Sequence, residues 1–374
     1  MIREITPDEL REALDTRAPL TIVDVRPSDE RAEWSIPGSL HVDAYTSLRA
    51  GDRSVLSGFA ATLAKDIPIV TVCAKGRTSL LAAEALQDAG FTVMSLTGGM
   101  AAWTGAWNTA DVALPPHARV RVIQVRRIGK GCLSYIVGSD AHAAVIDPSV
   151  DPAVYLDLAH QQGWTITAVL DTHVHADHVT RAYELADRCQ ATVYLPRQTR
   201  VQRPHTALED EQTIEVGSST LRAMRTPGHT HESTCYVVDD VAVCSGDTLF
   251  LNTVGRPDLA ATDADEPRLR AAALFDSLHE RLLPLRDDIV VMPGHASAAL
   301  PFDGVALAAP LGEVRAALKL AALRQTEFVD AVLSRIPPTP PNHLQIVRIN
   351  EGKEALPADL VSLEAGANRC AISA

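Results

Sequence analysis

Thr172-His173-Val174-His175-Ala176-Asp177-His178 is the stretch on which the reading of this chain turns. Three imidazoles and a carboxylate fall within a few residues of one another, directly after the apolar run 166–170, which reads as a strand. Alternate side chains of an extended loop project to one side. His173 and His175 can therefore approach one cation while Asp177 and His178 face another position.

Moving outward, the same device recurs. Thr226-Pro227-Gly228-His229, Ser245-Gly246-Asp247 and Pro293-Gly294-His295 each follow an apolar strand-like run. A lone histidine is usually a surface group or a hydrogen-bonded core group. Histidines and aspartates repeated at strand ends are too costly to cluster unless they bind something. Strand patterns at 119–125, 132–137, 143–146, 220–225, 235–238 and 241–244, with helices near 153–162, 266–281 and 311–335, predict mixed α/β structure with β-meanders. The run 336–341, Ile-Pro-Pro-Thr-Pro-Pro, stops the helix before it.

Toward the N-terminus the rhythm changes. Apolar runs at 21–25 and 67–73 and a helix from about 79 to 88 predict βαβ units around a parallel sheet. Cys73 ends the second run, and Ala74-Lys75-Gly76-Arg77-Thr78-Ser79 follow before the pattern turns helical. A loop entering a helix N-terminus offers free amides and the positive end of the dipole, which stabilise a thiolate or an anionic persulfide. Lys75 and Arg77 add charge of the same sign. By position alone Cys73 reads equally well as a buried strand-end cysteine. Residues 104–116, with Gly105, Asn108, Asp111 and Pro115-Pro116, lack periodicity. The expected division is a first domain over 1–108, a linker over 109–117 and a second domain over 118–374 with a C-terminal extension.

Composition bounds the function. The 374 residues suit two or three domains, and 46% hydrophobic with 22% charged residues is a globular balance. A net charge of −13 repels nucleic acid and anionic membranes, so neither is an expected partner. The N-terminus has no apolar signal core and no run reaches a membrane span. Cys73, Cys132, Cys189, Cys235, Cys244 and Cys370 form no Cys-x-x-Cys pair and read as reduced thiols, which makes a cytoplasmic location the expectation.

Two resemblances follow from these motifs. About the first 105 residues resemble the rhodanese family, through Asp24-Val25-Arg26, Ile36-Pro37-Gly38-Ser39, the strand–Cys73–loop unit and Gly98-Gly99-Met100-Ala101-Ala102-Trp103. That resemblance implies a persulfide carried on Cys73, a cradle of loop amides over Ala74, Lys75, Gly76, Arg77, Thr78 and Ser79, and thiosulfate among the partners. The loop departs from the usual one, which sets its arginine two residues after the glycine; here Arg77 follows Gly76 directly and Thr78 takes that place. Residues from about 118 to 350 resemble the metallo-β-lactamase superfamily, through the Thr-His-x-His-x-Asp-His series and the later His229, Asp247 and His295. The implied fold class is α/β throughout: a rhodanese-like parallel sheet with flanking helices, then a four-layer αββα sandwich with metal at one edge of its sheets.

The superfamily resemblance branches. In glyoxalase II enzymes the matching residues imply two zinc ions, one on His173, His175 and His229, the other on Asp177, His178 and His295, with Asp247 bridging. In persulfide dioxygenases they imply one Fe(II) per chain on His173, His229 and Asp247, with His175, Asp177, His178 and His295 around it. Two histidines and a carboxylate are the facial triad of oxygen-activating iron. Val254-Gly255-Arg256-Pro257-Asp258-Leu259 resembles the Gly-Arg-x-Asp segment of the dioxygenases, which makes Arg256 and Asp258 candidate catalytic residues. Pro340-Pro341-Asn342-His343, Ile349-Asn350 and Leu363-Glu364-Ala365-Gly366-Ala367-Asn368-Arg369-Cys370 look like proteins joining such a domain to rhodanese modules. Ala296-Ser297-Ala298-Ala299 lacks the tyrosine one dioxygenase branch places after this histidine. His231 reads as a solvent-facing neighbour of the metal.

The expected function is oxidation of a low-molecular-weight thiol persulfide, such as glutathione persulfide, by O2 to sulfite and thiol, coupled to sulfurtransfer at Cys73. Tethering carrier to oxidase raises the effective concentration of a reactive intermediate. The rivals are a dinuclear thioester hydrolase and a non-catalytic sulfane-sulfur carrier or sensor. Related metal domains often dimerise, so a homodimer is among the expected states.

Overall fold

The computed structural model describes residues 2–366 and 368–373, so Ala367 of the tail motif lies outside it. Its layers follow from the two-residue period of the strands. In Cys132–Ser139, Leu133, Tyr135 and Val137 enter one buried cluster and Ile136 another. Ala144 and Ile146 face the first cluster and Ala143 and Val145 the second. A register shift between Ile166 and Ala168 turns Ile166 to the opposite face from Ala168 and Leu170, as a bulge must. These strands belong to a seven-stranded sheet whose order is Thr206–Leu208, Thr192–Pro196, Thr165–Leu170, His142–Ile146, Cys132–Ser139, Arg121–Arg127, Asn108–Asp111.

A six-stranded sheet packs against it, ordered Thr213–Val216, Ser219–Arg225, Thr234–Val238, Ala242–Gly246, Val290–Pro293, Ala309–Pro310. Tyr236, Val238, Ala242, Cys244 and Met292 meet the first sheet in the central core. Cys235, Val237, Val243 and Val291 face outward, against Ala271 and Leu274 of the helix Glu266–Asp276 and Phe328 and Val332 of the helix Gln325–Ser334. The helices Pro152–Gln161 and Ala182–Cys189 cover the other outer face. Four layers result, helix on sheet on sheet on helix.

The N-terminal part is an all-parallel five-stranded sheet ordered Arg3–Ile5, Val93–Leu96, Ile69–Val72, Thr21–Asp24, Leu40–His41. It does not stand apart. Trp34, Met100, Trp103 and Ala106 share a buried cluster with Ala296 and Leu300 of the second domain.

Three expectations need correction. Residues expected to open the linker instead form the edge strand Asn108–Asp111, antiparallel to Arg121–Arg127. Asn108 fixes it from both sides, donating to Asp15 Oδ1 at 2.9 Å and accepting from Arg126 Nε at 2.8 Å. The helix expected over 311–335 is broken into Leu311–Ala317, a 3₁₀ turn Lys319–Ala322 and Gln325–Ser334, because Leu318, Leu323 and Arg324 leave helical backbone angles. The helix expected over 266–281 ends as an α-helix at Asp276 and continues as the π-helical turn Ser277–Leu282.

The C-terminal extension threads back between the domains. Glu364, almost fully buried, pairs with Arg127 at 2.7 Å and Arg181 at 3.3 Å and accepts from the Val179 amide at 2.8 Å. Ala371 bridges to Gly255, and Arg369 pairs with Glu33 of the first domain at 2.9 Å.

Candidate metal centre and thiol cradle

The histidine loop leaves the carboxyl end of the strand Thr165–Leu170, and His229, Asp247 and His295 leave strand ends of the facing sheet. All seven side chains are buried. The ligand atoms of His173, His229 and Asp247 lie within 4.8 Å of one another. Bonds of roughly 2 Å to one cation bring donors about 3–4 Å apart, and Asp247 Oδ2 stands 3.8 Å from His173 Nε2 and 3.5 Å from His229 Nε2.

The outer hydrogen bonds choose the tautomers. His229 Nδ1 donates to the Arg256 carbonyl at 2.7 Å, which leaves Nε2 as a lone pair. His173 Nδ1 contacts Thr172 Oγ1 at 2.9 Å, and that hydroxyl donates to Asp147 Oδ2 at 2.9 Å. Such partners fix ring orientation and raise ligand basicity. Burial holds the pKa of His173 well below the ordinary value and lowers that of His229, so both are neutral, as ligands must be. His173 Nε2, His175 Nδ1, His178 Nε2 and Asp247 Oδ2 are buried without a hydrogen-bond partner. Leaving four such atoms unmet costs several kcal/mol, roughly 1–3 each, and a cation removes that cost. The donor set fits a metal.

The remaining residues form a second group. His295 lies between two carboxylates, Nδ1 at 2.6 Å from Asp247 Oδ1 and Nε2 at 3.0 Å from Asp177 Oδ2. Burial opposes charging of this ring, but Asp247 and Asp177 outweigh it and raise its pKa well above the ordinary value. His178 Nδ1 contacts Asp177 Oδ1 at 3.1 Å, and Cys132 Sγ lies 3.3 Å from Asp177 Oδ2. Cys132, Asp177, His178 and His295 place ligand atoms within 4.8 Å of one another, as do Asp247, His295 and Cys370. His175 joins neither group; its Nε2 is 3.1 Å from Asp147 Oδ1, in a cluster with Asp171.

Arg256 and Asp258, the candidate catalytic pair, lie on the segment whose Arg256 carbonyl reaches His229. They pair with each other through one guanidinium edge, Nε and Nη2 donating to the two Asp258 oxygens at 2.7 and 2.8 Å, and the remaining Arg256 nitrogen donates to the Pro338 and Arg369 carbonyls at 3.3 Å. The guanidinium is spent on holding the tail. Arg256 serves the centre through its carbonyl, which orients His229. His231 is exposed and contacts Glu266 at 2.9 Å.

Several residues at this site were not singled out as site residues from sequence. Asp147 receives the Thr172 amide at 2.7 Å and anchors His175; its position just past a strand end, like that of Asp247, was the available signal. Asn350 donates to the His175 and His178 carbonyls at 2.8 and 2.9 Å, and Asn368 donates to Asp177 at 3.0 Å. Both lie in the tail segments noted above, but no local pattern reveals what they reach. Gly294 is required by space, because a Cβ there would sit 2.7 Å from Asp247 Oδ1.

Cys73 follows the strand Ile69–Val72 and precedes the helix Arg77–Asp88. Gly76 caps that helix at φ +81°, and a Cβ there would meet the Gly98 amide at 2.7 Å. The loop is clamped by the Met100 amide on the Cys73 carbonyl at 2.8 Å and the Ala101 amide on the Ala74 carbonyl at 3.0 Å. Cys73 is buried, with Sγ 3.3 Å from Ser79 Oγ; Thr78 and Ser79 are buried while Lys75 and Arg77 are exposed.

Residues 6–106 match the rhodanese-like domain family and residues 127–295 the metallo-β-lactamase superfamily. An uncharacterised protein of Mycobacterium leprae is 30% identical over 197 residues, covering 45% of this chain and 87% of that protein. A hydroxyacylglutathione hydrolase of Rhodopseudomonas palustris is 34% identical over 186 residues, covering 49% of this chain and 68% of that enzyme. Among solved structures, a metallo-β-lactamase of Staphylococcus aureus superposes with a TM-score of 0.58 at 27% identity, over 64% of this chain and 74% of its own. ETHE1 of Myxococcus xanthus superposes with a TM-score of 0.54 at 25% identity, over 65% of this chain and 100% of its own.

Proposed function

The chain belongs to the metallo-β-lactamase superfamily and carries an N-terminal rhodanese-like domain, and from that premise we propose that it is a persulfide dioxygenase coupled to a sulfurtransferase. Its fold implies bound metal, and both parts come from enzyme families. His173, His229 and Asp247 would hold one Fe(II). When bound, the iron supplies the redox chemistry by which a thiol persulfide, O2 and water yield thiol and sulfite.

The protein's own groups do the rest. Arg256 and Thr172 hold His229 and His173 as neutral donors. His295 ties Asp247 to Asp177, and burial of the whole set excludes bulk water. Cys73 would receive sulfane sulfur from thiosulfate or a persulfide within the amides of residues 74–79.

The observation that carries this reading is the compact set of His173, His229 and Asp247, two histidines and one carboxylate whose donor atoms lie within 4.8 Å of one another with His173 Nε2 and Asp247 Oδ2 free. The hydrolase reading draws support from the free His175 Nδ1 and His178 Nε2 and from the hydroxyacylglutathione hydrolases among the relatives. A rhodanese partner has no evident use in thioester hydrolysis.

Elemental analysis of anaerobically purified protein, followed by O2 uptake with glutathione persulfide, decides between them. The expected result is about one iron per chain with O2 consumed and sulfite formed. Asp247→Ala should abolish O2 uptake and leave sulfurtransfer at Cys73 intact. Two zinc ions, no O2 uptake and hydrolysis of a glutathione thioester establish the alternative.

A further inference from the structure

We infer that Arg270 forms an oxyanion subsite beside the metal centre, where it holds an oxygen of a sulfite-class sulfur oxyanion, the product of the reaction proposed above. This rests on the dioxygenase reading and adds to it the residue that receives the charge of the product.

A small cavity borders a candidate metal ligand directly. It has room of about 20 Å³ and is walled by Val174, His229, Leu259 and Ala260, with Arg270 and Glu266 entering from the helix Glu266–Asp276. A single water needs roughly 10–15 Å³ of such room, so the space admits one small polar group and no peptide arm. Arg270 is almost fully buried. Its Nε donates at 3.3 Å to the carbonyl of Gly228, the residue before His229, and its Nη1 donates at 3.0 Å to the Leu259 carbonyl. Nη2 is buried with no hydrogen-bond partner among the described residues. Two nitrogens are thus spent on holding the cavity wall, and the third is the donor left for an occupant.

The nearby carboxylates do not consume that donor. Glu266 lies 3.5 Å from Nη1 and is itself met by the Thr262 hydroxyl at 2.8 Å and by His231 at 2.9 Å. Glu232 is met by the Val174 amide at 3.0 Å and by Arg200 at 2.8 Å. A guanidinium with a free edge beside an apolar wall makes short, strong bonds to an oxyanion, and an unmet buried donor is costly without one. The species of the reaction differ in what they offer it. A persulfide sulfur is a soft, poor acceptor and O2 carries no charge. The carboxylates of glutathione are oxyanions, but each sits on a peptide arm that this room does not admit. A sulfite group presents a charged oxygen directly on its sulfur, and one such oxygen fills the space.

Two measurements on the full chain test this. In metal-free protein carrying Cys73→Ser, so that sulfite cannot react at the thiol cradle, binding of labelled sulfite is measured by equilibrium dialysis. Arg270→Gln should weaken it roughly 10–100-fold, the range expected for losing a charged hydrogen bond. Because Arg270 also holds two backbone carbonyls, a second variant leaves it in place: Ala260→Asn narrows the cavity at a position with φ +55°, which asparagine adopts readily, and should weaken sulfite in the same direction. Sulfite binding indifferent to both substitutions overturns the inference. In iron-loaded protein, sulfite should inhibit O2 uptake with glutathione persulfide. Both variants should raise the inhibition constant while KM for the persulfide stays within about twofold. A KM that rises while inhibition by sulfite is unchanged puts Arg270 on the thiol's carboxylate and overturns the inference. A wild type that takes up no O2 removes the dioxygenase reading itself, and the dialysis then decides the subsite alone.

Discussion

At the scale of single residues, the centre depends on groups outside the set His173, His229 and Asp247. Asp147 accepts the Thr172 amide and hydroxyl and holds His175, so one carboxylate sets the shape of the histidine loop. Asp147→Asn should keep the fold and weaken metal binding by roughly 10–100-fold, the usual cost of losing an outer-shell partner. Equilibrium titration of the metal-free variant checks this, and an unchanged affinity would remove Asp147 from the site. The candidate ligands His173, His229 and Asp247 were legible because their type and strand-end placement are improbable without a ligand. Asp147 and Cys132 were not, since an aspartate after a strand and a lone cysteine have many ordinary uses.

At the scale of elements, period and punctuation located most strands and misjudged long helices. The helix Glu266–Asp276 shows why ends matter. Glu266 accepts from the Thr262 hydroxyl at 2.8 Å and from its amide, and faces His231. Burial raises the Glu266 pKa, but the bonds to Thr262 and His231 outweigh it and bring the carboxyl down to about 2. A carboxylate depressed in the folded state contributes stability fully present above its unfolded pKa, and that contribution is lost as pH falls through the folded value. Wild type should therefore exceed Glu266→Gln in urea midpoint near neutrality, with the gap closing between about pH 4.5 and 2. A gap independent of pH would mean that the charge is not what matters. The break at Leu318 was illegible for the opposite reason: the residues on either side are good helix formers, and only docking of the two short helices against the sheet separates them.

At the scale of the whole molecule, the tail joins the two domains. Glu364 neutralises Arg127 and Arg181 in a buried position. Removing one partner strands the other charges, so Glu364→Ala should cost roughly 3–5 kcal/mol and loosen both the histidine loop and the interdomain cleft. Chemical denaturation measures the first effect and protection of the Val179 amide from hydrogen exchange the second. A loss below ~1 kcal/mol would show that water replaces the pair.

Read alone, the sequence determined the two kinds of chemistry and the two sheet architectures. Residue type, strand period and loop position are local quantities, and a thiol loop or a histidine loop carries its signature wherever it sits. Only the tertiary structure decided that the Arg256 carbonyl orients His229, that His295 contacts two carboxylates, and that residues 364–366 and 368–370 lie between the cradle and the centre. Those facts depend on which distant segments share one buried volume. That is settled by packing across hundreds of residues, where no periodicity or motif reaches.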